Sequence, residues 1–167
     1  MKKLVYLLSI GLMVSLLGCG STSTVTTPST PAPAKEAAQP AKVITAEGIG
    51  NVIKANVPTM SGIVVYTEDT DTNKLLGRPN QYTSKVNFAD TRTEQLSKDN
   101  PTGGSVEVFA NPQDAKTRWT YVDEISKSSP MFTQYLYLNG NVLLRIDGAL
   151  TPSQAKEYET AFGKTTN

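Results

Sequence analysis

The side chains that carry most enzyme chemistry are scarce in this 167-residue chain. It contains no histidine and a single cysteine, Cys19. The absence of histidine excludes Ser-His-Asp and Cys-His catalysis, as well as histidine metal sites. Paired carboxylates and Ser/Lys arrangements remain, but no GxSxG motif follows Cys19. We therefore expect no catalytic residue, no cofactor and no enzymatic activity.

One run of oxygen-bearing side chains has the spacing that begins a calcium loop. Asp69, Asp71 and Asn73 alternate in this run. The EF-hand template then requires glycine at position 6 and glutamate at position 12, where this chain has Lys74 and Asn80. A lysine in the loop opposes a cation, so we favour a solvated segment and expect no metal site.

A second run combines the residue types that anchor many protein interfaces. Arg78, Asn80 and Tyr82 place a guanidinium, an amide and a phenol close together beside an alternating segment. Arginine and tyrosine are common binding anchors, so these three residues are candidate binding residues. The alternative is an ordinary turn in which Arg78 pairs with a nearby acid.

The start of the chain has the parts of a secretory signal peptide. Lys2 and Lys3 precede an almost wholly apolar run from Leu4 to Leu17, and Gly18 is a small residue at the expected cut. The apolar run is shorter than the roughly 20 residues of a membrane-spanning helix. We predict that residues 1–18 are a removable leader and that the rest of the chain is exported.

The end of this leader, Leu16-Leu17-Gly18-Cys19, resembles the bacterial lipobox. The resemblance implies that the Cys19 thiol receives a diacylglycerol, that the Gly18–Cys19 bond is cleaved and that the new N-terminus is acylated. The expected location is the cell membrane, with the protein lipid-anchored and facing outside the cytoplasm. The alternative is a plain signal peptide followed by an incidental cysteine.

The composition divides the exported chain into a tether and a domain. Residues 19–42 consist of the lipidated Cys19 and a Ser-, Thr-, Pro- and Ala-rich segment, which we predict to be a disordered tether. Residues 43–167 have the length of a single domain. The formal net charge is +1 and becomes −1 once Lys2 and Lys3 are removed, which gives no reason to expect nucleic acid as a partner.

The domain sequence predicts eight elements in the order α-β-β-β-α-β-β-α. Thr45, Asn111 and Thr151 are the expected helix N-caps. Asn139-Gly140 separates two apolar runs and predicts a type I′ hairpin turn. We expect an α+β fold in which an antiparallel sheet of about five strands carries its helices on one face, a two-layer sandwich.

Three stretches between residues 45 and 163 carry a further resemblance. They are KLLGRPNQYTSKVNFAD, GGSVEVF with the following DAKTRWTYV, and NVLLRIDGALTPSQAKEYE. Together they resemble small bacterial lipoproteins of Gram-positive lineages that have no assigned activity. The resemblance supports the placement and the extent of the domain and supplies no functional residue.

These observations favour a lipid-anchored binding or interaction module of the cell envelope. Its expected partners are the membrane, through the lipid anchor, and an envelope protein or wall polymer. Two alternatives remain. One is a carboxylate-dependent cell-wall hydrolase. The other is a superinfection-exclusion lipoprotein of the phage type, which shares only the plan of anchor, tether and small domain.

Overall fold

The structure is a computed structural model that describes residues 44–166. The predicted leader, Cys19 and the predicted tether of residues 19–42 lie outside these residues. The described part contains the eight predicted elements in the predicted order: α1 (Ala46–Asn56), β1 (Met60–Val65), β2 (Tyr82–Asp90), β3 (Gly103–Phe109), α2 (Pro112–Ser128), β4 (Gln134–Asn139), β5 (Val142–Asp147) and α3 (Pro152–Phe162). Short 3₁₀ helices follow α2 and α3 at Pro130–Phe132 and Gly163–Thr166.

The five strands form one antiparallel sheet with the order β1-β2-β3-β5-β4. The chain leaves β3, runs through α2 and enters the edge strand β4, and a hairpin then returns it as β5 beside β3. The α+β class and the five-stranded antiparallel sheet are therefore confirmed. The strand order could not be read from the sequence.

The side of the sheet covered by α1 and α3, the α1/α3 face, holds the larger apolar core. Alternate residues of the central strands point to this side. They pack with apolar residues of the two helices; the strand residues in this cluster are Val86, Phe88, Val106, Val108, Val142, Leu144 and Ile146. Ile49 and Ile53 of α1 and Tyr158 and Phe162 of α3 face this core.

The opposite side, the α2 face, holds a smaller cluster. Leu143 of β5 and Phe109 of β3 pack there with Tyr82, Ala115 and Trp119. Because Leu143 and Leu144 are both fully buried neighbours on one strand, they must face opposite sides of the sheet. The helices thus differ from the expected placement on one face: α1 and α3 share one side and α2 covers part of the other.

A β-bulge changes the side to which Tyr82 points. The β2–β3 register shifts between Tyr82 and Ser84. Strict alternation would have placed Tyr82 beside Ser84, Val86 and Phe88. The extra residue instead turns its ring to the α2 face, where it packs on Phe109.

The helix starts and the hairpin follow local sequence signals. Thr45, Asn111 and Thr151 accept backbone N–H groups as N-caps, and Thr151 forms a capping box with Gln154. The hairpin is confirmed, but its turn lies one residue later than predicted. Asn139 pairs with Val142, so the loop is Gly140-Asn141, with positive φ (55°) at Gly140. Glycine at the first loop position is the pattern of a type II′ turn.

Candidate functional site

A cleft of about 250 Å³, which we call the polar cleft, lies on the side of the sheet that α2 partly covers, and no residue of α2 lines it. The segments before β2 and before β3 form its two walls, and β2, β3 and β5 form its floor. Its lining is dominated by amides, hydroxyls and charged groups: Thr72, Asn73, Lys85, Asn87, Asn100, Pro101, Thr102, Gly103, Gly104, Ser105, Gln134, Arg145, Ile146 and Asp147.

Lys85 stands in the floor of the polar cleft and is held from below by Asp71. Its Nζ lies 2.8 Å from Asp71 Oδ1, and only 3% of the lysine is exposed. The rings of Tyr66 and Tyr82 lie 4.6 and 5.4 Å from the ammonium, within cation–π range. The Tyr82 hydroxyl donates to Asp71 Oδ2 at 2.7 Å. Lys85 is therefore fixed in the floor of the cleft by one ion pair and two aromatic rings.

Glu107 holds two arginines on the same face. This glutamate is fully buried in β3. Its carboxylate accepts from Arg118 Nε of α2 at 3.1 Å and from Arg145 Nη1 of β5 at 2.8 Å. Gln134 Oε1 accepts from Arg145 Nε at 2.9 Å. The glutamate thus links the helix to the sheet and orients Arg145 at the cleft.

The buried carboxyls stay ionised. Burial alone would raise the pKa of Glu107, but its two guanidinium partners outweigh burial and lower this pKa. Burial is likewise the largest effect on Asp71, yet hydrogen bonds from Lys85, Tyr82 and the Leu75 N–H bring its pKa well below the usual range. Neither acid can donate a proton near neutral pH, so they position neighbouring cations and do not act as general acids.

Asn87 and Asn100 connect the floor of the polar cleft to its wall. Asn87 Nδ2 donates to Asn100 Oδ1 at 2.9 Å, and the same oxygen accepts from the Tyr66 hydroxyl at 3.2 Å. The Oδ1 atom of Asn87 is buried and has no hydrogen-bond partner among the described residues. A buried acceptor without a donor is costly, so the fold leaves one polar atom unsatisfied in a residue that lines the cleft.

The structure places the three candidate binding residues in different surroundings. Tyr82 is fully buried, and its hydroxyl donates a hydrogen bond to Asp71. Asn80 is exposed and adopts a positive φ of 61°, a conformation that asparagine tolerates in turns. Arg78 is exposed in the same turn. Asn80 does line a separate groove of about 320 Å³ against Arg118 and Tyr121 of α2.

The calcium-like run is used within the fold. The Asp71 carboxylate turns inward to Lys85 and to the backbone N–H groups of Leu75 and Leu76. Lys74 Nζ donates to the backbone oxygen of Asp69. Within residues 44–166, no group of three His, Cys, Asp or Glu side chains is placed to hold a metal ion.

Two other features have properties of sites. Ser153 and Lys156 have the SxxK spacing, but they lie on the exposed surface of α3, and Lys156 pairs with Glu159 at 2.7 Å. A larger, mainly apolar groove of about 540 Å³ lies between β1 and Leu96. The only charged side chain in its lining, Lys98, is exposed. Neither feature holds a fixed charged group as the polar cleft does.

The residues missed by sequence reasoning had a recognisable signal. Lys85, Glu107 and Arg145 are single charges within otherwise apolar or uncharged strand sequences, SKVNF, VEV and LRI. Register then brings them together, because Lys85 pairs with Glu107, and Ser105 pairs with both Asn87 and Arg145. The charges were visible in the sequence, but their meeting depends on strand order.

Within the described part of the chain, no helix is long and apolar enough to cross a membrane. Comparison of the chain with protein-family models, with curated proteins and with solved structures found no match.

Proposed function

We propose that this chain is a lipid-anchored, extracytoplasmic protein whose folded domain binds a small polar ligand in the polar cleft. The observation that carries the proposal is the pair of cations in the cleft, Lys85 and Arg145, each held by a buried acid. Ligand sites characteristically combine a concave surface with a few precisely placed polar groups.

The energetics of the charges favour this reading over a purely structural one. Removing an ion pair from water costs several kcal/mol per ion, and well-packed apolar residues often serve stability equally well. Here two acids, Asp71 and Glu107, are fully buried, while the cations they hold reach a cleft. A binding site gains from this arrangement because its cations are already oriented before the ligand arrives.

The anchor is the second part of the proposal and rests on the sequence. The leader ends in Leu16-Leu17-Gly18-Cys19, so Cys19 would carry the lipid and residues 20–42 would separate it from the domain. Acyl chains contribute roughly 0.8 kcal/mol per buried CH₂ group, and two or more chains give stable attachment. The cleft would then face envelope ligands or partners outside the cytoplasm.

The anchor is tested by growing cells with a labelled fatty acid and comparing Cys19→Ser with Ser21→Ala. We expect the Ser21→Ala protein to incorporate the label and to appear in the membrane fraction. We expect the Cys19→Ser protein to carry no label and no mature Cys19→Ser protein to appear in the membrane fraction. Mature, membrane-bound Cys19→Ser protein would contradict lipidation at this residue.

The cleft is tested by blocking its rim. Thr72 is exposed at the polar cleft and Thr160 is exposed on α3, so tryptophan at each position forms a matched pair. The full chain in detergent is screened for compounds that raise its melting temperature. We expect Thr72→Trp to abolish the response and Thr160→Trp to keep it. An equal response in both variants would contradict ligand binding in this cleft.

A further inference from the structure

Near the polar cleft, the arginines outnumber the buried acid that pairs with them. Arg118 and Arg145 share one acid, Glu107, so one positive charge is in excess at this end. Arg145 uses Nε and Nη1 for Gln134 and Glu107, while its Nη2 has no hydrogen-bond partner among the described residues. Arg145 therefore retains donors that can bind an anionic group.

A carboxylate lies beside this cationic end. Asp147 is half-buried and lines the same cleft. Its Oδ1 accepts from the Ala149 N–H at 2.8 Å, and it forms no salt bridge within residues 44–166. The cleft thus carries a positive group and a negative group that do not neutralise each other.

The spacing of these two groups is short. Arg145 and Asp147 are two residues apart on β5, so they lie on the same face with their Cα atoms about 7 Å apart along the strand. Two side chains that start this close can contact one small molecule that carries a positive and a negative group. The cleft volume of about 250 Å³ is below the roughly 300–1,000 Å³ of sites for drug-sized ligands.

We propose that the polar cleft binds a free α-amino acid, with its carboxylate on Arg145 and its ammonium on Asp147. The unpartnered Oδ1 of Asn87 lies across Ser105 from Arg145 in the sheet register. The Asn87 side chain also lines the cleft, so a ligand whose side chain carries an amide suits this part of the site. This inference rests on the proposed function, because it requires that the cleft be a ligand site.

The test is calorimetric titration of the full chain in detergent with glutamine, N-acetylglutamine and glutamine α-amide. The two analogues each remove one charge of the zwitterion. Loss of a hydrogen bond to a charged group weakens affinity by about tenfold or more. We expect glutamine to bind and each analogue to bind at least about tenfold more weakly. Analogues that bind as well as glutamine would overturn the proposal.

Two variants locate the two ends of the ligand. Asp147→Asn keeps an oxygen for the Ala149 N–H, so we expect it to fold and to lose the preference for glutamine over N-acetylglutamine. Arg145→Gln should lose the preference for glutamine over its α-amide. Retention of either preference in a folded variant would overturn the corresponding contact. If Arg145→Gln does not fold, the analogue series on the unaltered chain decides alone.

Two further results separate this proposal from the proposed function. The dipeptide alanyl-glutamine carries the same terminal charges farther apart, and tighter binding of the dipeptide would overturn the assignment to a free amino acid. If glutamine does not bind, but a saccharide raises the melting temperature of the unaltered chain and of Thr160→Trp and not of Thr72→Trp, the assignment to an amino acid is overturned. The cleft would then still be a ligand site. Failure of every ligand would overturn both.

Discussion

Buried carboxylates occur on both faces of the sheet, but their surroundings differ. On the α1/α3 face, Asp90 at the end of β2 accepts hydrogen bonds from Arg92, Tyr158 and Thr59. Arg92 Nη1 also forms a salt bridge with Glu157 Oε2 of α3 at 3.0 Å. These partners join α3 to the sheet around the acid, and Asp90 lines none of the grooves described above.

On the α2 face, the acids lie beneath an opening. Asp71 and Glu107 are as deeply buried as Asp90, yet the cations that they hold, Lys85 and Arg145, form part of the polar cleft. The same chemistry thus connects elements on one face and presents oriented cations on the other. The comparison teaches that burial of an ion pair does not identify a binding site; what matters is whether the partner reaches an opening.

The largest effect on stability is expected at Glu107, because its loss leaves two arginines without their acid. We predict that Glu107→Gln lowers the free energy of unfolding by about 3 kcal/mol or more. The control Glu124→Gln alters an exposed residue of α2 and should change it by less than about 0.5 kcal/mol. Urea unfolding monitored by the fluorescence of Trp119 measures both. Equal stability of the two variants would show that Glu107 does not hold the arginines as described.

Low pH should reduce the stability that the buried carboxylates contribute on both faces of the sheet. The pKa values of Asp71, Asp90 and Glu107 are all lowered in the folded state. A lowered pKa contributes stability above the unfolded value, about 4, and this contribution is lost as pH falls through the folded value.

We therefore predict that the urea midpoint falls between pH 6 and pH 3, and that Asp71→Asn and Asp90→Asn each reduce this dependence. Glu68→Gln, at an exposed acid with no buried partner of this kind, is the control. A pH dependence that is the same in all three variants would contradict the role of the buried acids.

Removing one hydroxyl from each face separates stability from binding. Tyr158→Phe deprives Asp90 of a donor at 2.6 Å, and Tyr82→Phe deprives Asp71 of a donor at 2.7 Å. Each should lower the free energy of unfolding by about 1–3 kcal/mol. Only Tyr82→Phe should also weaken ligand binding, because Asp71 holds Lys85. Weakened binding in Tyr158→Phe would remove the contrast between the faces.

The smallest effect is expected in the turn that the sequence singled out. Asn80→Ala forces alanine into a positive φ and should cost about 1 kcal/mol, whereas Asn80→Gly should cost less. Arg78→Ala should leave stability within about 0.5 kcal/mol of the unaltered chain. None of the three should change the ligand response of the melting temperature. If Arg78→Ala abolished the ligand response of the melting temperature, the binding site would lie at this turn and not in the polar cleft.

Local signals predicted the elements well because their causes are local. The caps at Asn111 and Thr151, the hairpin at Gly140 and the apolar stripe of α3 each depend on residues a few positions apart. The side of the sheet that α2 covers could not be predicted in this way. Its stripe fits either face, and the choice depends on the burial of Leu143 on the side opposite Leu144.

The candidate site depends on contacts that no local pattern reveals. Tyr82 was predicted as a binding anchor beside the turn at Asn80, but a bulge places its buried ring on the α2 face, against Phe109. Lys85 and Asp71 are separated by 14 residues, and Arg145 and Glu107 by 38. Such pairs follow from strand order and register, which the sequence alone left open.

The central claim is that the domain binds its ligand in the polar cleft. The most direct measurement places a photoreactive phenylalanine derivative at Thr72, and in a matched strain at Thr160, in the lipid-anchored chain within cells. Mass spectrometry then identifies what each protein captures after irradiation. We predict a specific adduct from Thr72, lost on addition of excess glutamine, and none from Thr160. Identical capture from both positions, or capture from Thr160 alone, would contradict the claim.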